Sequence, residues 1–282
     1  MARIVFIHGI GQQVEAPESL LREWGPKLRA GMRFAGVPGA EWPTDADMDV
    51  AFFGELFRED VKGVSAPPYV LADIDEGFEA DMLRAWASQA LAQDAEAGVR
   101  KGAWAPRSVQ ELAKFLLSLP FFASLTDRML VGALKQLRAY LNDPGVRAAV
   151  RSRLADLILP DTRLVIAHSL GSIVAYEVLC LAGLRARPAL ITLGSPLGLR
   201  NLVFDRLEPR PVGDSGWWPR GAASWVNIAD PHDLVALEKN LASLFGAGVD
   251  DREVNNGAAA HDFGPYLTSA LTGKAVYEAL RD

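Results

Sequence analysis

The sequence predicts an α/β protein in which helices wrap a mostly parallel β-sheet and a helical segment is inserted. Short apolar runs rich in branched residues recur along the chain, and helical patterns separate most of them. Such alternation of strand and helix is typical of a parallel sheet. More than one hundred residues separate the second run from the third, which is too many for one crossover connection, and most of them have helical periodicity.

Five runs predict strands, and they are "RIVFIHG" (3–9), "MDVAFFGEL" (48–56), "RLVIA" (163–167), "PALITLG" (188–194) and "SWVNIA" (224–229). Runs without polar alternation are expected of strands that are covered on both faces. The periodic segment between the second and third strands predicts an inserted, mostly helical cap at about 60–150. Gly, Pro and Asp in "RPVGDSGWWPRG" (210–221) predict a loop.

The composition predicts one large domain over 1–282. The 282 residues, of which 50% are hydrophobic, can bury a substantial core. The 29 basic and 35 acidic side chains give a net charge of -6. Because this charge provides no attractive field for polyanions, we expect no nucleic-acid partner.

Cysteine content and hydropathy predict a cytoplasmic protein without a transmembrane segment. The single cysteine, Cys180, cannot form an internal disulfide, and no secretory leader pattern opens the sequence. The most apolar window, 115–125, contains a proline. It falls short of the roughly 20 residues that a membrane-spanning helix needs.

A serine stands where the third strand turns into a helix, in "RLVIAHSLGSIVAYEVL" (163–179). A strand, a serine flanked by small residues and a helix form the context of a nucleophile elbow, in which a sharp turn lifts the hydroxyl above the carboxyl edge of the sheet. Ala167 and Gly171 allow strand and helix to approach closely. The alternative is that Ser169 merely caps a helix.

The four histidines leave one candidate for the general base. In folds with such an elbow the order along the chain is serine, acid, histidine. His8 and His168 precede the serine. His232 lies between Asp230 and Asp233, the two candidate acids, so it could not easily turn to face one of them. His261 therefore remains, in the glycine-containing segment "NNGAAAHDFGPYL" (255–267). The alternative for His261 is a solvated loop histidine.

Two carboxylates, Asp230 and Asp233, follow the fifth strand and compete for the position of the acid. The acid must accept a hydrogen bond from the imidazole and stabilise its charged form. We favour Asp233, because Asp230 precedes Pro231 and such a step often bonds its own local backbone. Asp262 is adjacent to His261 in sequence and is expected to be a surface charge.

The segment "HGIGQQ" (8–13) follows the first strand and predicts an oxyanion hole. The expected donors are the N–H groups of Ile10 and of Leu170, the residue after the serine. A plain turn is the alternative. A nucleotide-binding loop is disfavoured, because neither the phosphate-loop pattern nor a third correctly spaced glycine is present.

Four segments together resemble the α/β-hydrolase serine lipases and esterases, and most closely the DDHD-domain phospholipases. They are "HGIGQQ" (8–13), "AHSLGSIVAYEVL" (167–179), "TLGSPLGL" (192–199) and "WVNIADPHDLVALE" (225–238). The resemblance implies an α/β-hydrolase fold with Ser169 as nucleophile, Asp233 as acid and His261 as base, and an oxyanion hole at Ile10 and Leu170. Ala167 and Leu234 depart from the glycine and proline of the family pattern, and the insertion matches only faintly.

These features predict a serine hydrolase of carboxylic esters that needs no metal and no organic cofactor. The expected substrate is an acyl ester or lipid, with transient contact with a lipid surface. Phe121 and Phe122, in the apolar part of the insertion, are the candidates for an acyl-binding surface under a lid, and core packing is their alternative. A thioesterase or peptidase with the same triad and a catalytically silent binding module are the alternative functions.

Overall fold

The computed structural model of the protein describes residues 3–58, 68–96, 108–181 and 183–281. A six-stranded sheet has the order β2-β1-β3-β4-β5-β6, and all neighbouring strands are parallel. The strands are β1 (Arg3–Ile7), β2 (Met48–Ala51), β3 (Thr162–His168), β4 (Ala189–Leu193), β5 (Trp225–Ala229) and β6 (Val249–Glu253). The prediction of an α/β protein is confirmed, and the sheet is entirely rather than mostly parallel.

Helices flank both faces of this sheet. The α-helices in the described part of the chain are α1 (Pro17–Phe34), α2 (Phe78–Glu96), α3 (Val109–Leu117), α4 (Asp127–Asn142), α5 (Pro144–Ala155), α6 (Leu170–Cys180), α7 (Ala242–Phe245), α8 (Phe263–Thr268) and α9 (Ala270–Arg281). Short 3-10 turns lie at Gly39–Glu41, Asp45–Asp47, Gly54–Phe57, Leu71–Asp73, Pro120–Phe122, Phe204–Arg206 and Gly257–Ala259. Among the described residues, no helix combines the length and the apolar character that a membrane crossing requires.

Alternate side chains of each strand enter two separate cores. Ile4 and Phe6 of β1 face α1, α8 and α9, whereas Val5 and Ile7 face α6 and the inserted helices. Successive side chains of a strand point to opposite faces, so an apolar run without polar alternation fits a strand that is covered twice. Each fully buried side chain of this size contributes about 1.5–3 kcal/mol to stability.

Two strands differ from the sequence predictions. The predicted strand at 48–56 ends at Ala51, because the N–H of Phe53 leaves the ladder and donates to His8 Nε2 at 3.0 Å. The edge strand β6, "VDDRE", was not predicted, because only its first residue is apolar and buried. Its Asp251 accepts hydrogen bonds from the side chain of Asn227 and from the N–H of Leu241. The segment 210–221 is a loop, as predicted.

The predicted insertion at 60–150 forms helices α2 to α5, although residues 60–67 and 97–107 lie outside the described part of the chain. Apolar side chains of α2 to α5 belong to the same core as the strands and α6. The last of these helices extends beyond the predicted boundary to Ala155.

A buried charge cluster fixes α4 and α5 to α6, the helix that follows Ser169. Glu177 of α6 is fully buried. Its carboxylate accepts from the Nε atoms of Arg147 (3.1 Å) and Arg151 (2.9 Å) of α5, and from the hydroxyl of Tyr140 of α4. Because removal of one partner from a buried ion pair costs about 3–5 kcal/mol, the cluster opposes movement of these two helices.

Candidate functional site

The predicted site residues lie at one edge of the sheet. His8 follows β1, Ser169 follows β3, and Asp230 and Asp233 follow β5, while His261 lies between β6 and α8. Because all six strands are parallel, their carboxyl ends meet at this edge, where α/β proteins bind their ligands. The parallel topology therefore brings together the segments that follow β1, β3, β5 and β6, although they are far apart in the chain.

Ser169 occupies a sharp turn between β3 and α6. Its backbone angles are φ 52° and ψ -126°, a region that residues other than glycine rarely adopt. Such a conformation costs of order 1–3 kcal/mol and persists only where surrounding contacts enforce it. Here Ser169 N–H donates to the Leu193 carbonyl at 3.1 Å. A Cβ atom on Gly171 would lie 2.5 Å from the His8 carbonyl oxygen, so only glycine fits at that position.

The structure brings three predicted residues into one hydrogen-bonded chain. His261 Nε2 lies 3.0 Å from Ser169 Oγ, and His261 Nδ1 lies 2.8 Å from Asp233 Oδ2. Because a carboxylate only accepts, Nδ1 carries a proton, and in the neutral imidazole Nε2 is then free to accept the serine proton. This arrangement can generate a nucleophilic serine oxygen.

The Asp233 carboxylate is fully buried and has hydrogen bonds to both oxygens. Oδ1 accepts from the N–H groups of Val235 (2.8 Å) and Ala236 (3.2 Å), and Oδ2 accepts from His261 and from the Tyr266 hydroxyl (2.9 Å). Burial alone would raise the pKa of Asp233, but the contact with His261 and the two backbone donors outweigh it and lower that pKa. Asp233 is therefore ionised where it faces the imidazole.

The other carboxylates occupy different positions. Asp230 accepts the N–H of His232 through Oδ1 at 2.8 Å and the N–H of Asn256 through Oδ2, so it ties the end of β5 to the segment that leads to His261. The side chain of His232 is 67% exposed, and Asp262 is exposed. Of the two candidate acids, the structure thus places Asp233 against His261.

The two predicted oxyanion-hole residues flank the serine. Leu170 is the first residue of α6, and a Cβ atom on Gly9 would lie 2.8 Å from Ser169 Cβ, so the segment that carries Ile10 lies directly against Ser169. Within the described part of the chain, the N–H groups of Ile10 and Leu170 have no hydrogen-bond acceptor. The N–H of the following Gly11 donates to Gln136 Oε1 of α4 at 3.3 Å. Both amides are thus available to a ligand oxygen.

His168 holds the backbone of the segment that bears the imidazole. Its Nε2 donates to the carbonyl oxygen of His261 at 2.7 Å, and its ring stacks on Phe263 with a centroid distance of 4.9 Å. Burial lowers the pKa of His168 to about 3. It therefore stays neutral at physiological pH and acts as a fixed donor.

His8 is also buried and neutral. Its Nε2 accepts the N–H of Phe53 at 3.0 Å, so its Nδ1 carries the proton and donates to the Gly9 carbonyl at 2.6 Å. Burial lowers the pKa of His8 to about 4. In the unfolded chain the His8 imidazole binds a proton with a pKa near 6.5, whereas in the folded protein it stays unprotonated until the pH approaches 4.

This difference predicts an acid-sensitive contribution of His8 to stability. The unfolded state binds more protons between pH 6.5 and about 4, so the free energy of unfolding falls as the pH falls through this window. The loss attributable to His8 is on the order of 3 kcal/mol. In His8→Gln, whose amide oxygen can still accept the Phe53 N–H, we expect a smaller loss in urea unfolding curves recorded from pH 7 to pH 4. His232→Gln, at an exposed histidine, should follow the wild type, and equal slopes for all three proteins would contradict the prediction.

Phe121 and Phe122, the two predicted acyl-binding residues, have different environments. The centroid of the Phe121 ring lies 6.4 Å from that of His261, and its side chain is half-buried. Phe122 is only 2% exposed and packs against Trp86 of α2. Phe121 thus lies beside the imidazole of His261. Phe122 is a core residue, and its ring packs against that of Phe121. Ser169 itself is only 3% exposed.

Two residues of the site were not predicted individually. Gly194 has φ 55°, and a Cβ atom there would lie 2.8 Å from Asp233 Oδ2, so a larger residue would displace the carboxylate. It lies in the "GSPLG" segment that carries the family resemblance. Tyr266 contacts the same oxygen, but its sequence signal is only that of one more aromatic residue near the end of the chain.

Comparisons of this chain with protein-family models, with curated proteins and with solved structures found no match. The resemblance to α/β-hydrolases therefore rests on the four sequence segments alone. Because many unrelated activities share α/β folds, the activity has to be inferred from the geometry of the site.

Proposed function

We propose that the protein is a serine ester hydrolase of the α/β-hydrolase type. The observation that carries the proposal is the hydrogen-bonded chain from Ser169 through His261 to the buried, ionised Asp233, with the serine on a strained turn between strand and helix. Strain of this kind persists where surrounding structure enforces it, and it is concentrated at active sites. A helix cap alone needs neither the positive φ nor an imidazole with the correct tautomer.

In this proposal His261 takes the proton of Ser169 as its oxygen attacks the carbonyl carbon of an ester. The new bond gives a tetrahedral oxyanion, which the N–H groups of Ile10 and Leu170 stabilise. His261 then protonates the leaving alkoxide, and the acyl group remains on Ser169. Water, deprotonated by the same imidazole, attacks the acyl carbon; the bond to Ser169 Oγ breaks, His261 returns the proton to that oxygen, and the acid is released. Asp233 keeps the tautomer of His261 fixed and stabilises the imidazolium in both half-reactions.

A fluorophosphonate probe tests this proposal, because it phosphonylates only serines that a neighbouring base activates. We expect the wild-type protein to be labelled, with the adduct on the peptide that contains Ser169. Absence of labelling at neutral pH would reject the hydrolase and favour a silent binding module. A parallel panel of acyl esters, acyl thioesters and peptide amides would distinguish the esterase from the thioesterase and the peptidase.

Contacts of the inserted helices support the proposal that this segment caps the site. Gln93 of α2 donates to the carbonyl of Pro231 at 3.1 Å, and Gln136 of α4 accepts from Gly11, so both helices reach loops at the carboxyl edge of the sheet. Phe121 lies beside His261. An apolar surface in this position suits an acyl chain, and exclusion of water strengthens the electrostatic interactions beneath it.

Phe121→Asp is therefore expected to affect long-chain esters more than short ones. Each buried methylene contributes about 0.8 kcal/mol, so losing contact with a few methylenes predicts roughly a tenfold or larger loss of kcat/KM for long chains. The measurement is kcat/KM for esters of increasing acyl length. Phe34→Asp is the control, because Phe34 is 69% exposed at the last position of α1, which ends at the opposite edge of the sheet. An equal effect on all chain lengths would contradict an acyl-binding role.

A further inference from the structure

Tyr266 makes two hydrogen bonds that link both acidic residues of the site. Its hydroxyl lies 2.9 Å from Asp233 Oδ2 and 2.9 Å from the backbone nitrogen of Asp230. The side chain is fully buried. Tyr266 lies in α8, five residues after His261, so one short segment carries both the imidazole and this hydroxyl.

The chemistry of the two partners fixes the direction of the hydroxyl proton. The N–H of Asp230 can only donate, so the tyrosine oxygen accepts there and its proton points to Asp233 Oδ2. Burial, followed by the charge of Asp233, raises the pKa of Tyr266 well above its ordinary value. The hydroxyl therefore keeps its proton and remains a donor over the whole range in which an imidazole titrates.

The tyrosine hydroxyl and His261 Nδ1 share one oxygen. Asp233 Oδ2 accepts from both groups, while Oδ1 is occupied by the N–H groups of Val235 and Ala236. A hydrogen bond to a carboxylate oxygen withdraws negative charge from it, so Oδ2 attracts a positively charged imidazole less strongly than a carboxylate without this donor would.

We propose that Tyr266 is a positioning residue that holds Asp233 Oδ2 toward His261 and weakens the affinity of the imidazole for a proton. This inference rests on the proposed function, because a base must be unprotonated to accept the proton of Ser169. By moderating the carboxylate, Tyr266 extends the pH range in which the base is competent toward lower pH. Among the described residues, the hydroxyl of Tyr266 bonds Asp233 and Asp230 and not Ser169.

Other titratable groups surround this pair and have to stay constant in a test. They are His168 of the elbow, His8 after β1, Asp230 after β5, Lys239, whose ammonium donates to the Asp233 carbonyl, and Asp262 next to the imidazole. His8 and His168 are neutral in the pH range where an ordinary imidazole titrates, because burial lowers the pKa of His8 to about 4 and that of His168 to about 3. Replacing Tyr266 by phenylalanine removes the hydroxyl and changes none of these groups.

The test is the titration of the His261 imidazole nitrogens by NMR in the wild type and in Tyr266→Phe. We expect the midpoint to rise by about half a pH unit or more in the variant. The acid limb of the kcat/KM profile should move in the same direction. Activity at neutral pH should fall roughly tenfold, because the carboxylate loses one of its four hydrogen bonds.

Tyr176→Phe is the matched control. The Tyr176 hydroxyl is equally buried, donates to the Trp217 carbonyl at 3.0 Å and accepts the Trp217 N–H at 3.1 Å, but it faces no carboxylate of the site. It should leave both the midpoint and the pH profile unchanged. Replacement of Tyr266 by 3,5-difluorotyrosine retains both hydrogen bonds with a stronger donor, so the midpoint should fall, and this variant serves if Tyr266→Phe does not fold.

The readouts separate this inference from the proposed function. If the midpoints in the wild type and both Tyr266 variants are the same, the coupling is rejected, even in an active hydrolase, and Tyr266 is purely structural. A shifted midpoint in a protein that hydrolyses no ester and takes no fluorophosphonate would reject the proposed function and leave the coupling intact. Opposite shifts in the two variants, with a matching shift of the acid limb, would establish both.

Discussion

Ser169→Ala is expected to lose ester hydrolysis by roughly 10⁴–10⁶-fold, since Ser169 is the nucleophile of the proposed mechanism and its loss would remove the acyl-enzyme pathway. The variant should fold normally. Alanine keeps the Cβ atom and therefore the strain of the turn at φ 52°, and among the described residues the side-chain hydrogen bond that is lost is the one to His261. The free energy of unfolding should change by no more than about 1 kcal/mol. Steady-state kinetics and chemical denaturation measure the two effects.

Ser152→Ala is the control for this variant. Ser152 is an exposed residue of α5, and its hydroxyl donates to the Ala149 carbonyl of the preceding turn. It should retain activity and labelling by the fluorophosphonate. Retained turnover in folded Ser169→Ala would reject the triad, because in the described part of the chain no other residue forms a hydrogen bond with His261 Nε2.

Asp233→Asn is expected to lower kcat by about 10³–10⁴-fold, because it imposes the wrong tautomer on His261. The N–H groups of Val235 and Ala236 require an oxygen at the Oδ1 position. The amide nitrogen of the asparagine must then face His261 Nδ1 and donate to it. His261 Nε2 would carry the proton in that state and could not accept one from Ser169.

Asp230→Asn should behave differently, because within the described part of the chain its carboxylate accepts from the backbone N–H groups of His232 and Asn256 and contacts the exposed His232 ring at 3.3 Å, but does not contact His261. It loses its bond to the Asn256 N–H, so we expect a stability loss of about 1–3 kcal/mol and less than tenfold loss of kcat. Kinetics and unfolding of the two variants, measured together, test this ranking. If Asp230→Asn were the more damaging to kcat with both proteins folded, the acid would be Asp230.

Much of the sheet was predictable, because its signals are local. In the run "RIVFI" every residue after the arginine is apolar, and the run forms a strand that is covered on both faces. The edge strand "VDDRE" was missed, since its polar side chains bond neighbouring loops instead of entering a core. The strand at 48–56 was predicted too long, because the N–H of Phe53 pairs with a histidine from another segment.

Sequence alone determined the identity and order of the polar groups at the carboxyl edge. The strand, the small-residue turn and the helix around Ser169 form a local pattern, and with four histidines in the chain few residues could be the partner of that serine. Only the tertiary structure decided which acid contacts His261, and that Tyr266 shares its oxygen. Asp230 and Asp233 are three residues apart and are both fully buried, so neither the local sequence nor burial distinguishes strongly which of them contacts the histidine. Their roles depend on a loop from 28 residues further along the chain, whose position the parallel sheet and the packing of α8 set.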